Sequence, residues 1–310
     1  MRLNLCICTI LKDEEMNAIW PVSKIITSCF VGGIPMATAV FSEVIYANNS
    51  IHVKRAVQAI EIDGIVNETA WQEASWLPID KQIIGSYPTP DDFSASYKLL
   101  WDKDYLYVLV KLFDNVLYDA HPDPLIRYWD DDCLEVFIDE DNSKGEHLAN
   151  FNAFAYHIAL DNQVVDIAPS IETTVENEQL AKQRNRQGEP KLFNHHIDSQ
   201  WQRSLEVGNP FYWELAVKLY NDRYVYQESN AERYRVSNVE GKKIGFMLAY
   251  CDNDGSEYRE HFIGSTDIIP VNGDKNLGYK TADVFDTLIL VGDDYFNDTK
   301  SVDSNSENQN

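Results

Sequence analysis

From residue 92 to residue 290 apolar side chains recur at every second position, in short runs separated by turn residues. A period of two belongs to the β-strand, whose successive side chains point to opposite faces. In YLYVLVKLF (105–113) Leu106, Val108, Val110 and Leu112 share one face. Leu134, Val136 and Ile138 do the same within 132–139. Strand-like runs continue at 151–160, 163–168 and 201–207, and at 212–219, where Trp213, Leu215, Val217 and Leu219 form an apparent core face. Ile244, Phe246, Leu248 and Tyr250 form another, and VFDTLIL (284–290) closes the series. Turn-like NSKG (142–145) and DN (161–162) punctuate the pattern. No strand is followed by the helical repeat that a parallel α/β sheet needs. The fold class expected is all-β, an antiparallel β-sandwich of jelly-roll type with one long polar loop at about 170–200.

The boundaries follow from composition. Residues 25–42 carry no charge, follow Lys24, and end near Val44–Ala47 with small residues. That is the pattern of a secretory signal peptide, expected over 1–47. Gly32, Gly33 and Pro35 speak against a stable membrane span there. Because Asp13, Glu14 and Glu15 make the extreme N-terminus acidic, translation is expected to start at Met16. The domain proper is placed at 55–292, and 293–310 reads as a disordered acidic tail. With 26 basic against 50 acidic residues the formal charge is -24, which excludes nucleic acid and anionic membranes as partners. Past the leader only Cys133 and Cys251 remain, each in a strand-like run. They are read as two core thiols, an inter-strand disulfide being the alternative.

Three constellations bear on chemistry. In YWDDDCLEVFID (128–139) Trp129 and Glu135 stand an even number of positions apart. If the strand reaches back to Trp129, an indole and a carboxylate project from one face. An aromatic ring stacks on the C–H face of a pyranose and a carboxylate accepts its hydroxyls, so the pair suits sugar binding. The plainer alternative makes Trp129 an edge-packing residue and Glu135 a solvated one. Second, DEDNSKG (139–145) and CDNDGSE (251–257) set Asp139 and Asp141, and Asp252 and Asp254, at alternate turn positions. Hard oxygens so spaced favour Ca²⁺, although neither loop fits an EF-hand and ordinary turn chemistry is the alternative. Third, no phosphate loop, GxSxG or HExxH is present. His195 and His196 read as loop residues facing opposite ways, and His157 as a core-edge or ligand-facing residue.

Taken together, EIDGIVNETAWQEA (61–74), DFSASYKLLWDKDYLYVLVKLFD (92–114), WDDDCLEVFID (129–139), FNAFAYHIAL (151–160), YWELAVKL, IGFMLAYCDNDG and ADVFDTLIL (282–290) resemble carbohydrate-binding module family 9. The resemblance covers about 60–292. It implies a jelly-roll sandwich that binds mono- and oligosaccharides, often at chain ends, with structural calcium, in modules that usually accompany xylan- or cellulose-degrading enzymes. It maps one tryptophan of an aromatic clamp to Trp129 and the sugar-binding glutamate to Glu135. The family's second clamp tryptophan has no counterpart after Trp213, where Tyr258 and Phe262 are the nearest aromatic substitutes. The family's arginine falls where this chain has Tyr156 and His157, which leaves Arg259 to supply a cation from elsewhere. The expected ligand set is therefore Trp129, Glu135, Tyr156, His157, Arg259 and Phe262, with Asp139, Asp141, Asp252 and Asp254 for calcium. The chain is expected to be an exported, monomeric, non-catalytic binding protein, periplasmic or extracellular. Its rivals are a glycoside hydrolase, with two carboxylates facing each other across the Trp129 cleft, and a surface protein with a degenerate pocket.

Overall fold

The computed structural model describes residues 50–169, 188–203, 209–226, 229–292 and residue 295. The expected leader, the start at Met16, the first part of the polar loop and all of the acidic tail but residue 295 lie outside these residues. Sixteen strands are formed among the described residues. They begin with β1 (Ser50–Arg55), β2 (Leu77–Ile79), β3 (Lys81–Ile84), β4 (Phe93–Trp101) and β5 (Leu106–Asp114). Next come β6 (Cys133–Asp139), β7 (Phe154–Ala159), β8 (Val164–Ala168), β9 (Glu189–Leu192), β10 (Ile197–Gln202) and β11 (Phe211–Val217). The series ends with β12 (Leu219–Tyr220), β13 (Arg235–Val236), β14 (Lys243–Asp252), β15 (His261–Gly264) and β16 (Asp286–Val291). The polar loop is shorter than composition suggested, because β9 and most of β10 fall inside 170–200.

Hydrogen bonding runs β10-β11-β5-β4-β1-β16-β14-β6-β7-β8-β9, with β15 on β14 and β2 on β4. Nearly all pairs are antiparallel, but β1 lies parallel to both β16 and β4. β1 thus joins two layers, one built on β5 and the other on β6 and β14. Alternation decides what lies between them. Leu106, Val108, Val110 and Leu112 of β5 meet Leu134, Val136 and Ile138 of β6 in one core, together with Trp213, Leu215 and Val217 of β11. Each such side chain, fully withdrawn from water, stabilises the fold by roughly 1.5–3 kcal/mol.

The outer faces are covered too. Over β5, a 3-10 turn (Thr69–Glu73) lays Trp71 against Tyr107 and Leu109. Glu214 of β11 is buried there, accepting from Trp71 Nε1 at 3.1 Å and from the Gly64 backbone N–H at 3.0 Å. The opening motif 61–74 is therefore a cover for one sheet. Over β6 and β14, Cys133, Phe137, Ala155, Met247, Ala249 and Cys251 form a second cluster, capped by Leu277, Val284 and Phe285. Cys133 and Cys251 are direct cross-strand partners, buried and unbridged, as two core thiols. Among the described residues no helix is long and apolar enough to cross a membrane.

Candidate functional site

On this second face the covering loops leave a cavity of about 340 Å³. That is within the size of small-ligand sites. Its floor follows from register. Glu135 pairs with His157 across β6 and β7 and with Ala249 across β6 and β14, so Glu135 and His157 point outward side by side. Ala153 and Ala155, which carry little side-chain volume, line the hollow beside them. Tyr128 and Trp129 stand at one rim; Asn276 and Tyr279 come from the loop before β16.

Glu135 is only 2% exposed. Its Oε1 receives three donors: His157 Nε2 at 3.0 Å, Arg259 Nη1 at 3.1 Å and the Cys251 thiol at 3.0 Å. Burial pushes this carboxyl up, but His157 and Arg259 outweigh it and hold Glu135 below its ordinary value. Oε1 is thus fixed from three sides, while Oε2 accepts no hydrogen bond among the described residues and is the oxygen open to a ligand. Arg259 is itself held by the Cys251 sulfur at 2.9 Å and by the Phe262 ring, its Cζ lying 4.1 Å from the ring centroid. The arginine therefore reaches the glutamate from the loop after β14, while β7 contributes His157.

Trp129 is 41% exposed and its edge packs on Tyr128, with centroids 4.8 Å apart at 82°. Tyr128 in turn packs edge-on against His157 at 4.7 Å. The tryptophan does not belong to the strand, as alternation had suggested, because β6 begins only at Cys133. A turn places it, and the three aspartates hold that turn. Asp132 accepts from the backbone N–H groups of Tyr118 and Asn253, Asp131 from those of Ala120 and His121, and Asp130 from Arg127 Nε. All three are buried, so the acidic run serves donors of the protein and not solvent.

Two residues of the expected ligand set do not line the cavity. Tyr156 follows the alternation of β7 inward, where His157 faces out; it is buried in the core with its hydroxyl 2.6 Å from His196 Nδ1. Phe262 is buried in the second cluster and supports Arg259 from beneath. Tyr258 is exposed outside the cavity. The aromatic ring that joins Tyr128 and Trp129 at the cavity from a distant segment is instead Tyr279, half-buried within NLGY (276–279). Gly278 brings that loop close: a Cβ there would stand 2.6 Å from Met247 Cε and 3.0 Å from Phe137 Cε1. Its carbonyl accepts from His147 Nε2 at 2.8 Å, and burial lowers His147 to about 4. Asp166 also lines the cavity, with Oδ2 accepting from the Ala155 N–H at 3.0 Å. Burial raises it to about 7. Tyr128 opens the YWDDDCLEVFID stretch but was not singled out there, and His147, Asp166, Asn276 and Tyr279 carried no local motif; only their meeting around Glu135 identifies them.

The acidic loops separate. Asp139 and Asp141 bond within their own turn, Asp139 accepting from the N–H groups of Ser143 and Lys144 and Asp141 from that of Ser143. That is turn chemistry, reinforced by left-handed backbones at Asn142, Lys144 and Gly145. Asp254 is exposed. Asp252 is buried, and its carboxylate lies with those of Asp114 and Asp132, their oxygens within 4.8 Å of one another. A second group, Asp92, Asp252 and His261, adjoins it. Asp252 Oδ1 is buried without a partner, and burial plus the Asp114 charge raise Asp252 to about 8. Converging hard oxygens with one orphaned atom suit a divalent cation of the calcium class.

A family model described as carbohydrate family 9 binding domain-like matches residues 62–293. Endo-1,4-beta-xylanase A of Thermotoga maritima is 35% identical over 83 residues, which are 27% of this chain and 7% of that enzyme. Endo-1,4-beta-xylanase A of Thermoanaerobacterium saccharolyticum is 26% identical over 126 residues, 41% of this chain and 10% of the relative. The chain thus matches a tenth or less of the length of these curated relatives. Among solved structures, a carbohydrate binding module family 9 from Caldicellulosiruptor kristjanssonii in complex with cellotriose aligns with a TM-score of 0.53 at 18% identity, covering 80% of this chain and 97% of that one. The same module in complex with glucose aligns equally well. The likeness establishes the β-sandwich fold.

Proposed function

The chain belongs to the carbohydrate family 9 binding domain-like family, and from that membership and the pocket we propose that it binds a mono- or oligosaccharide without transforming it. The observation that carries this is one cavity holding Trp129, Tyr279 and a glutamate with a single oxygen left free. A pyranose entering it stacks its C–H face on the indole, while Glu135 Oε2 accepts a hydroxyl hydrogen. Arg259 and His157 keep Glu135 ionised, which makes it a strong acceptor. The solved family members hold glucose and cellotriose, and the curated relatives are xylanases, so gluco- and xylo-configured sugars are the ligands to try first. We place the role in polysaccharide breakdown, in a protein exported by its N-terminal leader to the periplasm or beyond. N-terminal sequencing of the mature chain tests that export.

Calcium would be held by Asp114, Asp132 and Asp252. When bound it supplies positive charge that relieves the repulsion among these carboxylates and ties the chain segments that carry them. Calorimetric titration with glucose, cellotriose and xylotriose, in calcium and again in EDTA, tests both readings. Saccharide binding lost on Glu135→Gln supports the first. Absence of binding to every sugar in calcium overturns it and leaves a surface protein with an inert pocket.

One observation favours hydrolysis as a second reading. Glu135 is held ionised while Asp166, in the same cavity, is raised to about 7, and carboxyls pushed apart in this way serve as base and acid in glycosidases. Against it, both Asp166 oxygens accept backbone N–H groups, from Ala155 and Ile167. Turnover of oligosaccharides that disappears in Glu135→Gln would replace binding by hydrolysis.

A further inference from the structure

Tyr258 lies outside the cavity and is 60% exposed, on the loop between β14 and β15. Single exposed aromatics are ordinary, but this one is held in place. The Arg127 guanidinium lies over its ring, Cζ 4.9 Å from the centroid. Arg127 is positioned in turn: its Nε donates to Asp130 Oδ2 at 3.0 Å and its Nη2 donates to the Glu257 carbonyl. Its backbone has φ 52, a left-handed conformation that residues with a Cβ seldom adopt and that persists where neighbours over-determine it.

The same contacts tie the ring to the pocket. Asp130 follows Trp129 in the chain, and its Oδ1 accepts from the backbone N–H of Arg259, the residue after Tyr258. Two segments, 127–130 and 257–259, therefore run side by side. Within them Trp129 and Arg259 line the cavity, while Tyr258, backed by Arg127, is exposed to solvent. Arg127 Nη1 has no partner among the described residues and is available to a hydroxyl.

Building on the saccharide reading of the cavity, we propose that Tyr258 and Arg127 form a second subsite, which takes the neighbouring pyranose of an oligosaccharide whose first unit occupies the cavity. The ring contributes a stacking face and Arg127 a hydrogen-bond donor; neither depends on which hydroxyls are axial, so the subsite reads chain length more than sugar identity. The ligand class is an oligosaccharide of two or more pyranose units.

Calorimetry with a monosaccharide and its trisaccharide, on the unaltered chain, Tyr258→Ala and Tyr258→Phe, tests the assignment. The trisaccharide should bind the unaltered chain about tenfold more tightly than the monosaccharide. Tyr258→Ala should bind the monosaccharide within roughly twofold of normal and lose most of that gain, and Tyr258→Phe should keep it. An equal gain in Tyr258→Ala, or no gain in the unaltered chain, overturns the subsite while leaving the cavity as a monosaccharide site. Failure of the unaltered chain to bind any saccharide overturns the cavity reading itself, and the subsite with it. Because the side chain is exposed, an unchanged melting temperature in Tyr258→Ala will show that the fold is intact.

Discussion

Trp129 and Tyr279 both line the cavity, but they are not equivalent rings. The indole is the larger and the more exposed, and it stands on a turn fixed by three buried aspartates; Tyr279 rides on a loop seated through one glycine. Trp129→Ala should accordingly weaken saccharide binding by about 30-fold or more, and Tyr279→Ala by roughly threefold to tenfold, both read by calorimetry. Equal and negligible effects would remove aromatic stacking from the account. Trp129 could be read from the sequence because it stands beside the strand that carries Glu135. Tyr279 could not: it lies in another part of the chain, and nothing local in NLGY distinguishes a clamp residue from a loop tyrosine. Tyr156 misled for a related reason. It and His157 are adjacent, so only one of them can face the cavity, and strand phase gave that place to His157.

Among the structural elements, what matters is how loops are seated on β6 and β14. Gly278 lets the 276–279 loop approach Met247 and Phe137. Gly278→Ala would push the loop outward, costing about 1–3 kcal/mol of stability. It should lower the melting temperature by a few degrees and weaken sugar binding severalfold, because Tyr279 and Asn276 move with it. Unchanged affinity in a destabilised variant would separate the loop from the site. The acidic cluster ties elements in another way: Asp114 ends β5, Asp132 precedes β6 and Asp252 ends β14. Calcium at about a hundred times its dissociation constant should add roughly 2.7 kcal/mol and raise the melting temperature by several degrees. Asp252→Asn should abolish that response. A melting curve indifferent to calcium and EDTA would assign the cluster to proton sharing alone. Of its parts only Asp252 was an expected ligand, because local spacing suggested pairs within each turn, whereas the observed group draws one carboxylate from each of three distant segments.

At the scale of the whole molecule, buried carboxyls shape the response to pH. Asp166 and Glu214 are each raised to about 7 by burial, from 3.8 and 4.5. The folded state then holds their protons more tightly than the unfolded one, so their contribution favours folding below about pH 4 and is lost as pH climbs towards 7. Glu135, held low, works in the opposite sense and withdraws its contribution as pH falls below the ordinary glutamate value. With a formal charge of -24, self-repulsion also grows as pH rises. Asp252, raised to about 8, extends the same loss to higher pH. Urea midpoints measured in EDTA should therefore fall from about pH 4.5 to about pH 8; a midpoint that climbs through that range would contradict the assignment. The β class and most of the long strands and their core faces were legible in advance, because period-two alternation is a local property that burial of one face enforces; β9 and β10 were not, since they lie in or across the edge of a segment whose polarity reads as a loop. Some of the cover was legible as well: the motif 61–74 marked a segment, though not that it closes over Glu214. The sequence by itself determined which residues point inward and that Glu135 stands on an outward face. Tertiary structure alone decided that Arg259 joins His157 of β7 at that glutamate, that Tyr279 brings a ring to the cavity from a distant segment, and that Asp114, Asp132 and Asp252 meet. Strand phase depends on nearest neighbours along the chain, whereas each of these encounters depends on how distant loops fold back onto the sheet.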